Sequence, residues 1–257
     1  PPVDWVYIPE PEPGPGRHTE FGIVTLRDGC AGLYYAWLGA SQQGMGGRYD
    51  PAGFRGKHPV ELARYCVGDD EADCSLGLAA INAITRHVFQ QAGFTPRDAP
   101  DSMGILDIAG ADHVGMVGYF PSLVKRIRGN GARLTVIEKK PQFHKRQENF
   151  LVSAEPHDLD GCNKVILTAS TLLNNSIDDL LDYSRGAEQR VMIGPTAGFF
   201  PDPLFARGIY ALGGSELRSP EQARQRLRAN EGLGESARKF LLSAPDYPGL
   251  DRLMQRL

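Results

Sequence analysis

No apolar run in this 257-residue chain approaches the roughly 20 residues that a membrane helix needs, so none is expected. Neither sign of charge dominates: 28 Lys and Arg face 31 Asp and Glu, a formal net charge of −3. That balance argues against nucleic acid or an anionic membrane as partner. The first residues carry no basic stretch leading into an apolar segment, which makes the cytoplasm the expected compartment. Cysteine is scarce, and Cys30, Cys66, Cys74 and Cys162 form no C-x-x-C pair. In a cytoplasmic chain they read as free thiols, chiefly buried apolar fillers, with a reactive or metal-binding thiol as the alternative.

Catalytic signatures are missing as well. The chain contains no G-x-S-x-G nucleophile elbow, no Walker A sequence and no full G-x-G-x-x-G fingerprint. His18, His58, His87, His113 and His144 stand alone in the sequence. The one local group of metal-ligand types, Glu155-Pro-His157-Asp158-Leu-Asp160 near Cys162, lacks paired histidines and reads as a solvated acidic loop.

Hydrophobic content of 41% and charged content of 23% are those of a soluble globular protein, long enough for two domains. Residues 1–18 hold six prolines and read as a proline-rich arm that builds neither ladder nor helix. Phe21–Arg27 and Leu33–Leu38 flank Asp28-Gly29 as a β-hairpin. Gly39–Arg48 reads as a loop. Pro59 opens a short helix to about Val67. Asp69, Asp70, Glu71 and Asp73 then precede a helix of small and apolar residues that Gly93 ends. These elements predict an α+β N-terminal domain over 19–100.

From residue 101 the pattern changes. His113–Phe120, Arg133–Glu138, Lys164–Ala169 and Arg190–Gly194 are short Val- and Ile-rich runs, as buried parallel strands are. Ser122–Arg128 and Ser176–Ser184 between them have helical spacing, and Ile209–Leu212 offers a fifth strand. This alternation predicts a Rossmann-like parallel α/β domain over 101–218. Residues 219–257 read as a helical extension opened by Ser219-Pro220-Glu221.

Ligands of open α/β sheets bind beyond the strand C-termini. Four segments arrive there. Gly118 permits close backbone approach, with Tyr119 and Phe120 filling the turn where a pyrophosphate cradle would need glycine. Glu138 follows Gly118 by 20 positions, where such domains keep an acid for ribose hydroxyls, although a solvated acid beside Lys139 and Lys140 fits equally. Ser170, Thr171 and Asn174 are more polar groups than one helix cap requires. Gly194 and Thr196 follow the fourth strand in a stiff Gly-Pro-Thr loop, and Asn82 would reach the site from the N-terminal domain.

Seven segments, Phe21–Leu26, Gly56–Ala63, Ser75–Ala83, Val117–Pro121, Val136–Glu138, Thr168–Asp178 and Gly194–Ala197, resemble the "putative heavy-metal chelation" family, in order across residues 20–215. The resemblance departs at Asn175-Ser176, where the family has a glycine and threonine pair. It implies an N-terminal domain similar to the enolase N-terminal fold ahead of a Rossmann-like domain. It also implies a metal ion, a metal–chelator complex or a small polar molecule as ligand between them. Three readings follow: such a binding protein, an enzyme with a nucleotide cofactor such as S-adenosylmethionine, and a non-catalytic accessory protein. A homodimer is compatible with each.

Overall fold

The computed structural model describes residues 1–9, 20–36, 42–99 and 106–257. The chain opens with strands β1 (Val3–Tyr7), β2 (Phe21–Leu26) and β3 (Ala31–Tyr35), which form an antiparallel sheet in the order β1-β2-β3. The hairpin predicted around Asp28-Gly29 is present, with Gly29 at φ 83° in the turn. The start of the chain departs from its expected form. Val3, Val6 and Tyr7 are buried and pair with β2, because the prolines flank this stretch and leave its backbone donors intact. The rest of the proposed arm, 10–18, lies outside the described residues.

Helix α1 (Gln42–Arg48) occupies most of the stretch expected as a loop, and 39–41 lie outside the described residues. Helix α2 (Pro59–Ala63) continues into a 3-10 turn, Arg64–Val67. Its cap is His58, whose side chain accepts from Val60 N–H while Glu61 closes the capping box. The 21-residue helix α3 (Glu71–Gln91) starts as its acids predict: the Asp70 carboxylate accepts from the Ala72 and Asp73 amides. It ends at Ala92, with Gly93 at φ 62°.

Strands β4 (Arg97–Asp98), β5 (His113–Val117), β6 (Arg133–Ile137), β7 (Lys145–Gln147), β8 (Phe150–Ser153), β9 (Lys164–Thr168), β10 (Gln189–Ile193), β11 (Ala211–Leu217) and β12 (Ala237–Ser243) make a nine-stranded sheet, ordered β4-β12-β11-β10-β9-β5-β6-β8-β7. The run β8-β6-β5-β9-β10-β11 is parallel throughout. The winding reverses between β5 and β9, which makes their C-terminal ends a topological switch point. Helices α4 (Pro121–Gly129), α5 (Ile177–Tyr183) and α6 (Asp202–Phe205) connect these strands. The residues after 219 are not a purely helical extension. Helix α7 (Pro220–Arg228), capped by Ser219 as predicted, is followed by β12 antiparallel to β11, and α8 (Leu250–Met254) comes near the end.

The two sheets share α3. Its Leu76, Ala79, Ala80 and Ala83 pack under β2 and β3 with Val24, Leu26 and Tyr34. Its Cys74, Leu78, Val88 and Phe89 join the core of the large sheet with Leu167, Met192 and Leu212. The other face of the small sheet, through Tyr7, Ile23 and Leu33, meets Leu217, Ala223 and Leu227. No helix among the described residues is long and apolar enough to cross a membrane.

Candidate functional site

The ends of β5, β9 and β10 converge because glycines finish two of them. Gly118 sits at φ 89°, and a Cβ there would lie 3.3 Å from Thr168 Cγ2. Gly194, at φ 153°, would place a Cβ 3.2 Å from the Cβ of Ala169. Side chains at either position would push the strand ends apart. Between them the chain turns through a 3-10 segment, Ala169–Leu172, capped by the Thr168 hydroxyl. The Thr168 and Ser170 hydroxyls are 3.0 Å apart, and Thr171 Oγ1 donates to the Thr168 carbonyl at 2.8 Å. Asn174 Oδ1 accepts from Ser176 Oγ at 2.6 Å.

A cavity of about 400 Å³ opens over these ends. Gly118, Glu138, Ser170, Thr171 and Asn174 line it, as does Thr168. Lys139 and Lys140 form part of its rim with Ser176 and Asp179, while Tyr35 and Glu71 enter from the N-terminal half. Glu138 is held by the backbone: Oε2 accepts from Tyr119 N–H and Oε1 from Lys140 N–H, each at 3.0 Å. Burial, together with the charges of Glu20 and Glu138, pushes the Tyr35 hydroxyl up to about 12.

The other sequence candidates lie elsewhere. Tyr119 stacks on Phe143 at 4.7 Å between ring centroids, with the Lys145 ammonium over its ring. Phe120 and Gly194 border a separate cavity of about 210 Å³ with Ser215 and Lys239. Asn82 and Thr196 are buried and tie the halves together: Asn82 Nδ2 donates to the carbonyls of Thr196 at 2.9 Å and Leu33 at 3.1 Å. Sequence reasoning missed Tyr35, Glu71 and Asp179, and it singled out the segment that Thr168 opens without naming Thr168 among the ligand residues.

The fold also rearranges the metal-ligand types. His157 is exposed and reaches Glu155 and Asp158 only at 3.9 Å, while Cys162 packs instead against His113 at 3.5 Å. Cys66 and Cys74, eight residues apart, bring their sulfurs to 3.4 Å. His87 is not isolated: its Nδ1 lies 2.6 Å from Asp28 Oδ2, with Cys30 beside them.

The family model DUF364, described as "Putative heavy-metal chelation", matches residues 101–243, more than half of the chain. A crystal structure of a DUF364 protein of unknown function from Desulfitobacterium hafniense superposes with a TM-score of 0.71 at 18% identity, covering 94% of this chain and 92% of that one. Another from Pyrococcus horikoshii gives a TM-score of 0.69 at 19% identity over 87% and 88%. Both likenesses concern the fold. An uncharacterized protein of Methanocaldococcus jannaschii (MJ0500) is 25% identical over 169 residues, 65% of this chain. The match spans 63% of that relative's length.

Proposed function

The chain belongs to the DUF364 family, and from that premise we propose that it binds a compact polar molecule, alone or as its metal complex, in the strand-end cavity. The six parallel strands are then a Rossmann-like sheet with its ligand at the switch point, and the antiparallel sheet with α1–α3 is an enolase N-terminal-like domain that closes one side. One observation carries the reading. Polar groups from both halves meet in one cavity: a phenol and a carboxylate from Tyr35 and Glu71, and hydroxyls, an amide and carboxylates from the strand ends.

The same lining decides how a metal would be held. Glu71, Glu138, Asp179 and the hydroxyls are oxygen donors, and among the described residues no thiol or imidazole lines the cavity. Such donors suit hard cations, so a soft metal would enter already wrapped in an organic chelator. The lysines and hydroxyls would then grip that chelator's carboxylates.

The test is native mass spectrometry with metal analysis of the full chain, followed by thermal shift with citrate, nickel citrate, S-adenosylmethionine and NAD. A ligand at 100 times its Kd adds about 2.7 kcal/mol of stability. Ser170→Ala and Asn174→Ala should remove most of that gain. The absence of any co-purifying or added ligand would overturn the proposal. The position of Glu138 beyond the second parallel strand favours a second reading, a ribose-bearing cofactor held by its carboxylate. A shift with S-adenosylmethionine that Glu138→Ala abolishes would establish that reading instead.

A further inference from the structure

Far from the strand-end cavity, the hairpin turn and the last turns of α3 bring three different metal-ligand types together. Asp28, Cys30 and one ring nitrogen of His87 present ligand atoms that all lie within 4.8 Å of one another. From this juxtaposition we propose a second site, which binds a borderline or soft divalent cation such as Zn²⁺ through the Asp28 carboxylate, the Cys30 thiolate and the His87 imidazole.

The local structure builds this set. Gly29, at φ 83°, allows the two-residue return that puts Asp28 and Cys30 side by side. The Cys30 amide donates to Asp28 Oδ1 at 3.1 Å, which orients the carboxylate. His87 and Gln90 lie on one face of α3, three residues apart. The Cys30 thiol donates to Gln90 Oε1 at 3.3 Å, so a fourth oxygen stands within reach.

The dimensions suit a small cation. Around an ion with bonds of about 2.0–2.3 Å, tetrahedral ligands sit about 3.3–3.8 Å apart. The widest pair must therefore close by up to about 1 Å, and the 2.6 Å contact between Asp28 and His87 must open to admit the ion. Side-chain rotation at a turn and a helix surface supplies both movements. One sulfur and one imidazole select against Mg²⁺ and Ca²⁺. Three protein ligands leave a position for water or Gln90.

Without a cation the thiol keeps its proton. Burial and the Asp28 charge push Cys30 up to about 12, Glu216 adds to this and Arg86 opposes it. Binding forms the metal–sulfur bond and breaks the S–H bond, releasing that proton to solvent. All three ligands precede the segment that the family model matches, residues 101–243. This site and the strand-end cavity share no lining residue.

Cobalt titration of the full, metal-stripped chain tests the proposal, with Co²⁺ alone as the probe. A sulfur-to-cobalt charge-transfer band should grow to saturation at one ion per chain, and Zn²⁺ should displace it. Cys30→Ser should abolish the band, and His87→Ala and Asp28→Asn should each weaken binding at least about tenfold. Glu138→Gln, which alters only the strand-end cavity, should leave the band unchanged. No band in the unaltered chain would overturn the site, and so would a band that survives Cys30→Ser, which would belong to another of the free thiols, Cys66, Cys74 or Cys162. Should Cys30→Ser fail to fold, unchanged affinity in both partly exposed variants, His87→Ala and Asp28→Asn, overturns it equally.

Discussion

Asn82 offers the sharpest test of how the two halves are joined. Its side-chain nitrogen donates to the Leu33 carbonyl on β3 and to the Thr196 carbonyl beyond β10. Both partners are acceptors, which fixes the amide orientation. Asn82→Ala removes both bonds and leaves two carbonyls unpaired, at about 1–3 kcal/mol each. The buried Oδ1 has no partner, so deleting it returns about 1 kcal/mol. The net loss should be about 1–5 kcal/mol, read as a lower urea midpoint and a melting temperature lower by about 2–20 °C. Asn82→Asp adds a sign test. A carboxylate facing two carbonyls can be accommodated only when protonated, so this variant should lose further stability as pH rises from 5 to 8. A loss under about 0.5 kcal/mol for Asn82→Ala, or an Asn82→Asp penalty independent of pH, would refute the reasoning.

Three further outcomes follow from packing and charge. A Cβ on Gly32 would lie 2.0 Å from the Ala79 carbonyl oxygen, so Gly32→Ala must displace α3 from β3. Urea unfolding should show a loss of about 3 kcal/mol. Asp112 pairs with Lys164 at 2.7 Å, and both side chains are largely buried. Asp112→Asn removes the opposite charge and leaves the Lys164 ammonium only neutral acceptors such as the Asp107 carbonyl, at a cost of about 2–3 kcal/mol. Burial raises the Asp112 carboxyl, but Lys164, Asn163 and the Ala109 amide more than offset it and hold it below the ordinary value. Its contribution is therefore present above the unfolded-state value and lost as pH falls through the folded-state value, and Asp112→Asn should flatten that acid limb in denaturant melts. His113 is lowered, first by burial and then by the Arg133 charge. A depressed histidine costs stability as pH falls below about 6.5, where the unfolded chain takes up the proton first. His113→Gln should remove the decline between pH 7 and 5 in the same melts.

The central strands were legible because both their faces are covered, and Val117, Val136 and Ile166 leave no alternation to obscure them. Helix α3 was legible through Asp70 and Gly93, whose chemistry is local. Strand β12 was not: Arg238 and Lys239 stand near its start, and the strand depends on pairing with β11, with Arg238 held by the carboxylates of Glu216 and Asp98. Strand β1 was masked by the prolines around it. At the site, Gly118, Glu138, Ser170, Thr171 and Asn174 could be placed because each follows a strand. Tyr119 could not, since Phe143 draws its ring away. Nor could Tyr35, Glu71 or the approach of His87 to Asp28, because packing of α3 brings these together across long sequence separations.

Helix α3 buries 13 of its 21 residues, some under one sheet and some under the other. A hinge between two domains needs a seam across which few contacts run. Among the described residues, the seam between the two sheets is occupied by a rod that serves as core to both sides. Opening the halves would strip apolar surface from Leu78 and Phe89 or from Leu76 and Ala80, so melting of one half exposes the other. A fragment beginning at residue 101 would carry an unroofed patch around Leu167, Met192 and Leu212 where α3 should lie. The chain should therefore unfold as one cooperative unit, and any ligand the cavity takes would enter past side chains and loops rather than through domain opening.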